Sequence, residues 1–169
     1  MGFLLITERL YVTEFTDGMA ESVHVNSLDE DNRIFLPDEV FETTAEAEST
    51  IAELISFYSR DAAPKVYPVL LHDKRQIGHV QAVPLSAGWE IGYHIAKDFT
   101  GCGYATEAVR AFLPFILEHL CLQEITGFCH AENAASRRVL EKCGFMQTFE
   151  GIGAYHGQKQ PVCRYMYTL

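Results

Sequence analysis

The chain carries no surplus of positive charge. Lys and Arg number 13 against 23 Asp and Glu in 169 residues, a formal net charge of −10. General nucleic-acid binding needs a basic face, so the balance argues against that class. The extra carboxylates favour cationic ligands, although solubility accounts for most of them. No apolar run approaches the roughly 20 residues that a membrane-spanning helix requires. The start, Met-Gly-Phe-Leu-Leu-Ile, meets Thr7, Glu8 and Arg9 too soon for a secretory h-region. Met1-Gly2 is followed by Ile6 where a myristoylation signal needs Ser or Thr. Cys102, Cys121, Cys129, Cys143 and Cys163 form no Cys-x-x-Cys pair and no zinc-like spacing, so no metal is expected. An odd count without a leader reads as reduced thiols in the cytoplasm.

What is present suits one domain over residues 1–169, with 48% apolar and 21% charged residues and no repeat or linker. Leu4–Thr13 alternates as a first strand, Met19–Asn26 reads as a short helix, and Ser27–Glu39 is polar and loop-like. Thr43 and Glu46 form a capping box ahead of a helix over Thr44–Ser59. Asp61–Pro68 breaks the pattern, and Val69–His72 and Gln76–Val83 flank Asp73-Lys74-Arg75 as a hairpin. In the strand Trp89–Ala96, alternation puts Trp89, Ile91, Tyr93 and Ile95 on one face and Glu90, Gly92 and His94 on the other. The helix from Tyr104 to Leu120 holds Pro114, where a kink is expected. Glu124–Cys129 is a strand, Asn133 caps a helix running to Lys142, and Gly144 stops it. Phe145–Ile152 and Val162–Tyr167 close the chain as a strand pair around a loop at Gly153–Gln160. The order β-α-α-β-β-β-α-β-α-β-β is a mixed α/β (α+β) domain.

The segment Thr100-Gly-Cys-Gly-Tyr-Ala-Thr106 lies between a strand and a strong helix. A glycine turn opening into a helix directs backbone N–H groups and the positive end of the helix dipole at one point, which suits a phosphate. A dinucleotide fold is the lesser reading. It needs a third glycine where Thr106 stands, early in a βαβ unit.

Three elements then line up in order: Glu90-Ile-Gly-Tyr, Gly101-Cys-Gly-Tyr-Ala-Thr-Glu-Ala108, and Asn133-Ala-Ala-Ser136 followed by Val139-Leu-Glu-Lys-Cys-Gly-Phe145. Together they resemble the GNAT superfamily of acyl-CoA-dependent N-acetyltransferases, in its RimJ/RimL-type branch. Thr7-Glu8-Arg9-Leu10 and Ile77-Gly78 are similar to that branch too, so the resemblance spans essentially the whole chain. It implies a mostly antiparallel sheet flanked by helices, splayed between the fourth and fifth strands. It also implies that Thr100, Gly101, Cys102, Gly103, Tyr104, Ala105 and Thr106 cradle the pyrophosphate of acetyl-CoA. Side chains at 101 and 103 would block that approach. Asn133 caps its helix and contacts the pantetheine arm or nearby backbone, and a backbone N–H near Ile95 meets the thioester oxygen. In RimJ/RimL-like enzymes the residue matching Ser136 is a candidate partner of the sulfur; with Val139-Leu140 where many members carry a Tyr acid, either Ser136 or a water protonates the departing thiolate, or CoA leaves as the thiolate. Thr100 replaces the Gln or Arg common in the wider superfamily.

Acetyl transfer requires a neutral amine. At pH 7 this costs a lysine about 4.6 kcal/mol and an α-amine about 1.4 kcal/mol. Glu90 is the first candidate base, acting through water, and His94 the second. Tyr93 reads as core packing. Tyr155, His156 and Gln158, with Asp29–Asp31, are candidates for the acceptor cleft. The implied function is direct acetyl transfer in a ternary complex to a primary amine, either a protein N-terminus or a small amine. The implied chain is a monomer or homodimer with no nucleic-acid or membrane partner. A catalytically decayed acetyl-CoA-binding module is the alternative.

Overall fold

The computed structural model describes residues 3–169, so the reading of Met1-Gly2 lies outside the described residues. Eight strands form one sheet in the order β1-β2-β3-β4-β5-β6-β8-β7. They are β1 (Phe3–Ile6), β2 (Leu10–Thr13), β3 (Lys65–Leu71), β4 (Gln76–Pro84), β5 (Trp89–Ile95), β6 (Glu124–His130), β7 (Met146–Tyr155) and β8 (Gln158–Thr168). The helices are α1 (Ala20–Ser27), α2 (Glu30–Phe35), α3 (Thr44–Phe57), α4 (Tyr104–His119) and α5 (Ala134–Lys142). Every strand pair is antiparallel except β5 with β6.

Alternation along the strands builds two cores. Val69, Val80, Ala82, Ile91 and Ile95 join Val109, Phe112 and Ile116 of α4 in the larger one. On the opposite face Val66 and Leu70 join Ala47 and Ile51 of α3, with Met19 and Ala20. The stripe of α4 is continuous, and the helix runs through Pro114 without a break. Thr43 Oγ1 accepts from Glu46 N–H at 3.2 Å, while Glu46 reaches back to the N–H of Glu42 at 2.7 Å, one residue short of the expected cap.

Four boundaries differ from the sequence reading. Leu4–Thr13 is two strands, because Thr7 turns the chain by bonding Leu10 through its N–H and Oγ1. Ser27–Glu39 is not a loop. Asp29 caps α2 by accepting from Asn32 N–H, and a 3-10 turn follows at Pro37–Glu39. Strand β3 starts at Lys65 and includes Pro68, which lies just past the last β2 pairing at Val12↔Val69. The closing loop shrinks to His156-Gly157, both at positive φ (46° and 75°), the geometry of a tight hairpin turn. Among the described residues, no helix is long and apolar enough to cross a membrane.

Candidate active site

Strands β5 and β6 pair only at Glu90↔Thr126 and Ile91↔Gly127. Beyond that point β5 stays with β4 as far as Ile95, and β6 stays with β8 as far as His130, so the sheet opens between them. Two observations orient the free edge. A Cβ built on Gly78 would lie 2.0 Å from the carbonyl oxygen of His94, so that oxygen faces β4. Ala96 N–H donates to Ile77 O at 2.8 Å, again toward β4. Alternation therefore turns the backbone N–H and C=O of Tyr93 and Ile95 into the opening.

At its end sits the glycine turn. Gly101 and Gly103 have φ of 77° and 83°, and Gly103 is the N-cap of α4 with no side chain capping it. The first helical bond is Glu107 N–H to Gly103 O at 3.0 Å, so the N–H groups of Tyr104, Ala105 and Thr106 have no acceptor within the helix. A Cβ at 101 meets nothing within 4 Å, and one at 103 meets only Arg9 Nη2 at 3.5 Å. The left-handed backbone by itself selects glycine at both positions. Thr100 Oγ1 bonds Lys97 O at 2.8 Å, and the exposed Cys102 Sγ lies 3.6 Å from Thr100 O.

One cavity of about 720 Å³ connects these features. Glu90, Ile95, Asn133 and Ser136 line it, with every residue of the glycine turn except Cys102. Asn133 Oδ1 accepts from Ser136 N–H at 3.0 Å, which makes it the N-cap of α5. Arg138 and Lys142 on α5 also line the cavity, and the sequence reading missed them. Their i, i+4 spacing beside a glycine turn was the available signal.

Glu90 stands on the floor opposite the larger core, half-buried. Burial pushes its carboxyl up to about 7, against the pull of His156 and Arg164. Burial pushes His94 the other way, to about 4, helped by His79 and resisted by Glu39 and Asp29. Glu39 covers this floor. Burial would raise its carboxyl, but His79, Gln81 and His94 together bring it down to about 2. Glu39 Oε1 accepts from Gln81 Nε2 at 2.9 Å. The 3.1 Å approach of Glu39 Oε2 to His79 Nε2 is not aligned as a hydrogen bond, and both atoms stay buried without one.

Tyr93 packs its ring against the larger core, as alternation requires, but its hydroxyl emerges at Ser136. It donates to Ser136 O at 2.9 Å and lies 2.9 Å from Ser136 Oγ. Burial raises its ionisation far above the ordinary range, so it keeps its proton. Leu140 is core, 1% exposed. At the other end, Tyr155 donates to Phe35 O at 2.6 Å and His156 contacts Asp38 at 2.5 Å, which ties the β7–β8 turn to α2. Asp31 lines the cavity and pairs with Lys97, and Asp29 lies 3.9 Å from His94. Gln158 is not part of the lining; it accepts from Gln160 on the hairpin.

Known proteins share this fold. The family model of the acetyltransferase (GNAT) domain matches residues 9–146. An uncharacterized N-acetyltransferase of Bacillus subtilis, YnaD, is 29% identical over 143 residues, covering 83% of this chain and 81% of that one. A GNAT-family acetyltransferase structure from Bacillus anthracis superposes with a TM-score of 0.83 at 24% identity, covering 96% of each chain. RimL, a ribosomal L7/L12 alpha-N-protein acetyltransferase solved with coenzyme A, gives 0.85 at 16% identity over 99% of this chain and 98% of that one. At these identities the two structures establish the fold.

Proposed function

The chain belongs to the GNAT family of acetyltransferases, and from that premise we propose that it moves an acetyl group from acetyl-CoA to a primary amine by direct transfer. The observation that carries this reading is the continuity of one cavity. It joins an uncapped helix N-terminus, an open strand edge and a carboxyl poised near neutrality.

The residues fit the cofactor. The free N–H groups of Tyr104, Ala105 and Thr106, at the positive end of α4, hold its pyrophosphate, and Arg138 and Lys142 add positive charge nearby. The open edge of Tyr93 and Ile95 accepts the pantetheine amides as an added strand would. Acetyl-CoA supplies an acyl group activated as a thioester. Ile95 N–H donates to the developing oxyanion. Glu90 takes the proton of the incoming ammonium through water, and with its carboxyl at about 7 it is matched to that task. His94, at about 4, is too weak a base to compete. Ser136 Oγ, backed by the protonated Tyr93 hydroxyl, donates to the departing sulfur where Leu140 has nothing to give.

Both a protein N-terminal α-amine, the acceptor class of RimL, and a small amine remain acceptors of this site. The α-amine needs about 3 kcal/mol less to deprotonate than a lysine. The test is CoA release from acetyl-CoA with a panel of N-terminal peptides and small amines. Turnover on any of them supports the reading. Tight acetyl-CoA binding without turnover on any amine would instead leave a decayed binding module.

A further inference from the structure

The turn Thr7-Glu8-Arg9-Leu10 has no part in the chemistry above, yet it is bonded to the glycine turn 93 positions away. Arg9 Nη1 donates to the carbonyl of Cys102 at 2.9 Å. The rest of its fork is fixed on Glu107 in the first turn of α4, through Nε at 2.7 Å and Nη2 at 2.6 Å. Glu107 is held in turn by Arg9 N–H at 2.9 Å and by Thr7 Oγ1 at 2.6 Å. The guanidinium also lies 4.5 Å over the ring of Tyr104. Among the described residues, Arg9 is the only side chain from outside the segment 100–103 that hydrogen-bonds its backbone.

The geometry of that one bond matters. In a trans peptide the C=O and the following N–H point opposite ways. Drawing the Cys102 carbonyl to Arg9 therefore turns the N–H of Gly103 away from Arg9. The peptide so fixed lies between two left-handed glycines, the residues that lose most conformational freedom on ordering. Three of the five guanidinium N–H donors of Arg9 are committed in this way, two to Glu107 and one to Cys102.

We propose that Arg9 is a positioning residue for the phosphate-binding turn: locked on Glu107, it orders the Cys102–Gly103 peptide before the cofactor arrives. The inference rests on the reading of this turn as the pyrophosphate cradle. Without Arg9, binding must order the turn itself, and fixing one or two residues corresponds to a roughly 10- to 100-fold rise in Kd.

The experiment uses the full chain and the variants Arg9→Ala and Arg9→Lys, below their melting temperatures. Lysine keeps the charge and lacks the fork. In the free protein, hydrogen exchange at residues 100–106 is expected to speed up in both variants, with the sheet unaffected. Calorimetry is expected to show Kd for acetyl-CoA raised about 10- to 100-fold in both. Turnover at saturating acetyl-CoA and KM for the amine stay at the wild-type level. Unchanged exchange at the turn overturns the inference, and so does a lysine variant that binds as tightly as wild type, since charge alone would then suffice. A fall in kcat at saturating acetyl-CoA also overturns it. If the wild type binds no acetyl-CoA, the functional reading fails by itself, because the exchange arm still decides whether Arg9 orders the turn.

Discussion

Replacing Glu90 by Gln should slow the enzyme and stabilise the protein, and the opposite signs make the test sharp. Burial raises the Glu90 carboxyl from its ordinary 4.5 to about 7. The native state therefore binds a proton more tightly than the unfolded chain. Between those two values the unfolded chain releases its proton first, so stability falls as pH rises and levels off above about 7. At about 1.4 kcal/mol for each tenfold in proton affinity, the cost above pH 8 reaches about 3 kcal/mol as an upper bound. Partial exposure of Glu90 reduces it, and an uncharged Gln escapes it. Melting should rise by about 2–8 °C at pH 8, at 2–4 °C per kcal/mol for a chain of this size, and hardly at all near pH 4. Loss of a general base costs about 10²- to 10⁴-fold in rate. The wild-type profile of kcat/KM should carry a limb near 7 that the variant lacks, leaving only the acceptor's own ionisation, near 8 for an α-amine. Paired pH–rate and pH–melting series measure both. A variant with full activity and an intact limb near 7 would remove Glu90 as the base. A melting difference independent of pH would show that its carboxyl is not desolvated.

Ser136→Ala and Tyr93→Phe should each lower kcat with little change in acetyl-CoA affinity. The double variant should be scarcely slower than the worse single, because the hydroxyls act as one unit; additive losses in steady-state kinetics would separate them. Gly103→Ala places a side chain at φ 83°, at a cost of about 1–2 kcal/mol, and should weaken acetyl-CoA in calorimetry; unchanged affinity would remove the turn from the cofactor site. Leu140→Tyr should not gain activity. Leu140 is 1% exposed, and overpacking there should cost about 1–3 kcal/mol in denaturant melts; a faster, equally stable variant would show that the position can host an acid. Glu39→Gln should lose stability near pH 7 but not near pH 2, since a carboxylate held at about 2 stabilises above 4.5 and ceases to as pH falls through 2; a pH-independent loss would point to packing alone.

The parts of this fold legible in the sequence are those governed by a period or a cap. The face assignment along Trp89–Ala96 follows from strand alternation, and it places Ile91 in the core and Glu90 on the cavity floor. The Asn133 cap and the long α4 follow from local chemistry in the same way. Elements fixed by distant partners were not legible. Segment Ser27–Glu39 is polar throughout, and α2 rests on the Asp29 cap and on Tyr155, which donates to Phe35 from the far end of the chain. The Thr7–Arg9 turn is closed locally by Thr7 on Leu10, but Glu107, which anchors it, lies far away in α4.

Tyr93 shows most clearly why the reach of a side chain escaped the sequence reading. Alternation fixes where a strand residue sends its Cβ, and for Tyr93 that direction is the core. It says nothing about the hydroxyl, which a long ring carries to whatever lies beyond. Here that is the first turn of α5, whose position depends on β6 and its N-cap. The ring serves packing and the oxygen serves Ser136, so one residue satisfies both readings. The same logic explains why Leu140 loses nothing as an apolar residue. With a hydroxyl delivered to Ser136 from β5, α5 devotes the position of Leu140 to the core.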